Sequence, residues 1–134
     1  MLPVWAGLIA AATMGVAAAT ATTATTATAT QDTFLVLGVQ ALGLQAHSGD
    51  RFATLRCDPP SGTHPHPESA CRVLREAGGD FTKVVGQPGT LCPSVDDPVT
   101  AIASGDYQGR RVMFRHTYLN RCDLARHTGP IFEL

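Results

Sequence analysis

Four cysteines, Cys57, Cys71, Cys92 and Cys122, fall within the stretch that carries every charge, and they limit what that stretch can fold into. Residues 1–31 contain no Asp, Glu, Lys or Arg; all ten basic and all eleven acidic residues come later. The first 19 residues are mostly Ala, Leu, Val, Ile and Gly with Trp5. They read as the apolar core of a secretory signal, although no basic side chain precedes it. Ala17, Ala18 and Ala19, and further on Ala27 and Ala29, offer the small residues a cleavage enzyme needs. Residues 20–30 are only Thr and Ala, with no large side chain to bury, and read as a disordered extension. The expected organisation is a leader over 1–31 and one folded domain over 32–134. An exported chain matures in an oxidising environment, where four cysteines in a small domain form two disulfides. Three pairings exist. Their order favours Cys57 with Cys71 and Cys92 with Cys122, because each bridge then closes its own loop, adding about 2–4 kcal/mol. The rival is zinc, since His64 and His66 lie between Cys57 and Cys71, but that spacing matches no zinc signature.

Formal net charge is −1, so neither nucleic acid nor an anionic membrane has electrostatic support as a partner. The apolar run in the leader is short and has no basic stop-transfer flank, which makes a membrane anchor the weaker reading.

Within the domain, residues 33–39 form a continuous β-prone apolar run and predict a largely buried strand. Residues 51–57 alternate and predict a second strand. Four prolines and Gly62 make 58–67 a stiff loop. A helix is predicted over 68–77, with Pro67 at its start, Glu68 complementing its dipole, and Ala70, Val73, Leu74 and Ala77 on one face. Gly78-Gly79 ends it, and Asp80 is placed to cap a short turn through 81–85. Strands over 99–103 and 107–119 predict a hairpin turning at Ser104-Gly105-Asp106. A helical turn over 120–127 and a last strand over 130–134 complete an α+β pattern.

One segment is better explained by function than by packing: Leu91-Cys92-Pro93-Ser94-Val95-Asp96-Asp97-Pro98-Val99. Pro93 and Pro98 fix their own φ angles and push Cys92 and Asp97 toward extended backbone. A disulfide at Cys92 then makes a stiff extended loop tied to the body of the domain. Enzyme chemistry fails on inventory. Ser94 lacks the Gly-x-Ser-x-Gly setting of a hydrolase nucleophile, and Cys92-Pro93 lacks the second cysteine of a redox motif. Asp96 and Asp97 point apart in an extended chain and gather no further ligands, so neither a catalytic residue nor a metal or other cofactor is expected.

Together, Cys57, Ser61-Gly62-Thr63-His64-Pro65, Ser69-Ala70-Cys71, Gly78-Gly79-Asp80, Cys92-Pro93, Val95, Asp97-Pro98-Val99, Gln108-Gly109, Arg111-Val112 and Asn120-x-Cys122 resemble the Streptomyces subtilisin inhibitor family. The resemblance implies a five-stranded antiparallel sheet with two helices, bridges Cys57–Cys71 and Cys92–Cys122, and a homodimer packed through its sheets. It also implies a secreted inhibitor of extracellular subtilisin-like serine proteases, with its reactive bond between Ser94 and Val95. Leu91, Cys92 and Pro93 would line the subsites before the bond, and Asp96, Asp97 and Pro98 would follow it. Asn120 would support the loop from behind. Family members usually carry Met, Lys or Arg where this chain has Ser94. Two alternatives accompany this reading: a secreted interaction domain of the same fold without inhibition, and an extracellular metal-binding protein using the histidines.

Overall fold

A computed structural model describes residues 15–26, 32–43, 46 and 48–134. Of the expected leader, residues 1–14 and 27–31 lie outside these, while 15–26 have no regular secondary structure and are exposed. No helix among the described residues is long and apolar enough to cross a membrane.

The fold is α+β, built on one antiparallel sheet. Strand β1 (Thr33–Ala41) pairs with β2 (Arg51–Cys57) on one side and β3 (Val99–Tyr107) on the other, and β4 (Arg110–Tyr118) flanks β3. The order is β2-β1-β3-β4. Helix α1 (Pro67–Glu76) starts at the predicted proline, and α2 (Arg121–Thr128) carries Cys122. A short 3-10 turn at Phe81–Lys83 is capped by Asp80, whose carboxylate accepts the Thr82 N–H at 2.9 Å.

The helices cover one face of the sheet. Leu35, Leu37 and Val39 of β1, Leu55 of β2, and Val99, Ala101 and Ala103 of β3 point into this core. They meet Ala70, Val73 and Leu74 of α1, the apolar stripe expected of that helix, together with Phe81, Leu124, Ile131 and Phe132. Alanines in β3 leave room for the larger side chains of the layer above. Cys57 and Cys71 are bonded, tying β2 to α1, and Cys92 and Cys122 are bonded across 30 residues.

Two expectations need correction. The sheet has four strands, not five: the segment expected as a last strand at 130–134 forms a 3-10 turn, Gly129–Phe132. Pro130 has no N–H to give a ladder, Gly129 leaves extended backbone at φ 57°, and Ile131 and Phe132 are both buried in the core. The segment packs against α1 and α2 instead, and the Ile131 carbonyl accepts a bond from His64 Nε2 at 2.8 Å. Second, the β3–β4 hairpin turns at Gln108-Gly109, not at Ser104-Gly105-Asp106. Gln108 (φ 47°) and Gly109 (φ 78°) give the doubly left-handed two-residue turn that matches strand twist. Gly105 lies inside β3 because a side chain there would run into the Phe34 carbonyl. The strand expected to be largely buried over 33–39 is so: β1 is central in the sheet, with Thr33, Leu35, Leu37, Gly38 and Val39 buried. Phe34 and Val36 look outward, beside Phe52 of β2 and Met113 of β4, which are 60% and 85% exposed.

Candidate functional site

Residues 84–98 form a long connection without regular secondary structure between the 3-10 turn and β3. Pro88, Pro93 and Pro98 have no N–H to give a ladder, and the conformation of the segment is set by what it is tied to. Side chains and backbone of the β4–α2 corner supply most of those ties.

The central one is Asn120. It stands at the N-cap of α2 with extended backbone, and its Oδ1 accepts the Asp123 N–H at 2.9 Å. That bond fixes which way the amide faces, and Nδ2 is aimed into the loop. There it donates to the Pro93 carbonyl at 3.0 Å and to the Val95 carbonyl at 2.9 Å. Asn120 is 6% exposed, so the donor side of these partly buried bonds is shielded from water. One amide group thus grips the chain on both sides of the peptide bond between Ser94 and Val95.

Further ties frame this grip. Cys92 is bonded to Cys122 in the first turn of α2. The Asp97 N–H donates to the Leu119 carbonyl at 3.1 Å, and the Pro98 carbonyl accepts from Leu42 N–H at 2.9 Å. At the other end, the Gln87 N–H donates to the Arg126 carbonyl at 2.7 Å. Between these anchors the crest is open to solvent. Pro93, Ser94, Val95 and Asp96 are exposed, Leu91 is 95% exposed, and Cys92, Asp97 and Pro98 are half-buried. All eight sequence-expected loop residues therefore lie on one protruding segment, and Asn120 lies beneath it.

Asp123 is a residue that sequence reasoning missed. Its Oδ2 accepts the Leu119 N–H at 3.2 Å, and its Oδ1 meets Arg126 at 2.6 Å and His127 Nδ1 at 3.2 Å. Burial alone raises its pKa, but the Leu119 N–H, Arg126 and His127 outweigh it and hold the carboxyl below its ordinary value. The charged group locks the corner that presents Asn120 and Leu119 to the loop. The Asn-x-x-Asp spacing, a variant of the capping box, is the signal that points to it. The ties at Leu42, Leu119 and Arg126 use backbone atoms and leave no residue signature.

His64, the histidine weighed as a zinc ligand, is buried with both ring nitrogens engaged. Nε2 donates to Ile131 and Nδ1 accepts the His66 N–H at 2.9 Å. Cys57 and Cys71, its proposed co-ligands, are joined to each other. Among the described residues no three His, Cys, Asp or Glu side chains are grouped to hold a metal ion.

With this geometry in view, the comparisons with known proteins are specific. The model of the subtilisin inhibitor-like family matches residues 11–120. The chain is 41% identical over 84 residues to subtilisin inhibitor-like protein 5 of Streptomyces fradiae, covering 62% of this chain and 78% of that one. It is 39% identical over 102 residues to the transglutaminase-activating metalloprotease inhibitor of Streptomyces mobaraensis, covering 74% and 69%. A chain from the crystal structure of Streptomyces caespitosus sermetstatin in complex with Bacillus licheniformis subtilisin matches with a TM-score of 0.62 at 32% identity. That match spans 77% of this chain and 99% of the other. The chain belongs to the subtilisin inhibitor-like family.

Proposed function

We propose that this protein is a secreted inhibitor of subtilisin-like serine proteases, acting through a substrate-like loop whose reactive bond joins Ser94 and Val95. The observation that carries this reading is the double bond-donation of Asn120 to the carbonyls of Pro93 and Val95. Attack by the protease's serine on the Ser94 carbonyl breaks the bond to the Val95 nitrogen and forms an acyl-enzyme. Pro93 then belongs to the acyl side and Val95 to the leaving side, yet both stay bonded to the same amide. The Cys92–Cys122 bridge holds the acyl side, and the bond from Asp97 to Leu119 holds the leaving side. The new amine is kept close to the acyl carbon, so religation outpaces hydrolysis. A loop already held in extended form also loses little freedom on binding, which is where the affinity of such segments arises.

Two further parts of the reading follow. The likeness to sermetstatin, which was crystallised in complex with subtilisin, supports a serine protease as partner. The outer sheet face, with Phe34, Val36, Phe52 and Met113 outward, supports a homodimer packed sheet to sheet. The folded domain is taken as residues 32–134, after removal of the leader.

The test is titration of subtilisin with the purified, oxidised protein, with the cut site mapped after brief exposure. The reading expects stoichiometric loss of protease activity and cleavage confined to the Ser94–Val95 bond, the fragments remaining joined through Cys92 and Cys122. Rapid cleavage at several bonds without inhibition would make the protein a substrate and sink it.

A further inference from the structure

We propose that the loop is shaped for a serine protease with a shallow primary pocket that takes a small uncharged side chain. Such an enzyme would also offer an apolar subsite to Leu91 and no acidic group opposite Asp96. This rests on the reading above and identifies the class of its target.

The primary pocket of a serine protease sets specificity by its size and charge: a buried Asp for basic residues, a hydrophobic slot for large apolar ones, a shallow site for small ones. Ser94 offers one hydroxymethyl group. It has no cation for a buried carboxylate, and in a deep slot it leaves volume unfilled while burying a hydroxyl without a partner. The loop is held in one conformation around Ser94. Asn120 holds the carbonyls of Pro93 and Val95, Cys92 is bridged, and Asp97 is tied to Leu119. With the reactive bond at Ser94–Val95, Ser94 is the side chain that enters the primary pocket.

Affinity must then come from elsewhere on the same segment. Leu91 is 95% exposed, a large apolar side chain that its own domain does not cover. It lies three residues before Ser94, on the acyl side, and its burial in the complex replaces what the primary pocket does not supply. Val95 is 55% exposed and contributes on the other side of the bond. Asp96 is exposed beside it, and its carboxylate favours a cleft that is neutral or basic there and disfavours an acidic one.

The experiment compares inhibition constants of the oxidised protein against three enzymes: elastase with its small pocket, subtilisin, and trypsin. The unaltered protein is expected to bind elastase at least about tenfold more tightly than subtilisin or trypsin. Ser94→Met is expected to gain roughly 10–200-fold against subtilisin and to lose against elastase. Leu91→Ala is expected to weaken elastase inhibition by roughly 10–100-fold, and Asp96→Lys to change the salt dependence of association. If the unaltered protein inhibits subtilisin as tightly as elastase, and Ser94→Met changes neither, the pocket assignment is overturned while inhibition stands. If neither the protein nor Ser94→Met inhibits any of the three, the inhibitory reading itself fails and takes the target class with it.

Discussion

A single amide carries two jobs at Asn120, and two substitutions separate them. Asp caps helices as well as Asn does, so Asn120→Asp keeps the bond from the Asp123 N–H. It replaces the donor to Pro93 and Val95 with a carboxylate facing two carbonyl oxygens. Asn120→Asp is therefore expected to turn lasting inhibition into temporary inhibition, with cleaved protein accumulating during incubation with protease. Asn120→Ala should do the same and also lose about 1–3 kcal/mol of stability, measured by denaturant unfolding. Persistent inhibition by both variants would remove Asn120 from the loop's support. His64 is the second residue with a measurable signature. Burial lowers its pKa below 6.5, outweighing its bond to the Ile131 carbonyl, and neighbouring His66 pushes the same way. Between its folded pKa and 6.5 the unfolded chain holds a proton that the folded one does not. Its contribution is therefore full above about pH 6.5, falls as pH drops through this window, and levels off below the folded pKa. The difference in unfolding midpoint between the protein and His64→Gln should narrow from about pH 7 to 5; a constant difference would contradict this.

At the scale of elements, α2 is the loop's foundation. It is only eight residues long and mostly polar, so propensity alone does not hold it. Its cap at Asn120, the Asp123 carboxylate and the Cys122 bridge fix it, and the loop takes its shape from them. Replacing Cys92 and Cys122 together by Ala should cost about 2–4 kcal/mol in unfolding free energy. It should also make the loop a substrate, cut at more than one bond by subtilisin. Both helices were legible in the sequence, α1 from its proline start and apolar stripe and α2 from the run after Asn120. The hairpin turn was not, because Ser104-Gly105-Asp106 has turn composition while Gln108-Gly109 has the required backbone angles. Gly105 answers a close approach of β1, and nothing within β3 announces that neighbour.

The whole molecule has two faces with different work. The helix-covered face of the sheet is the core, and the opposite face leaves Phe34, Val36, Phe52 and Met113 outward, with the Arg56 guanidinium 4.6 Å from the Phe34 ring centroid. A charge at the exposed Met113 would have to be buried if the sheets pack together. Met113→Glu is accordingly expected to shift sedimentation toward the monomer at micromolar concentration and leave subtilisin inhibition per chain unchanged, since the loop lies at the β4–α2 corner. Unchanged sedimentation would argue against this face as the contact.

The sequence by itself determined the α+β class and the stiff segment around Ser94, and it favoured the sequential cysteine pairing, because cysteine order, proline chemistry and apolar spacing are local properties. Tertiary structure decided the rest. A run such as 33–39 looks buried whether one face or two are covered, and only the placement of the helices says which. Ile131 and Phe132 have strand composition, but the turn that carries them packs against α1 and α2, and both are buried there. The grip on the loop around Ser94 joins residues 25 and 27 positions apart through one side chain and adds backbone atoms of Leu42, Leu119 and Arg126. Backbone groups are the same in every residue, so such contacts exist only once the chain is folded.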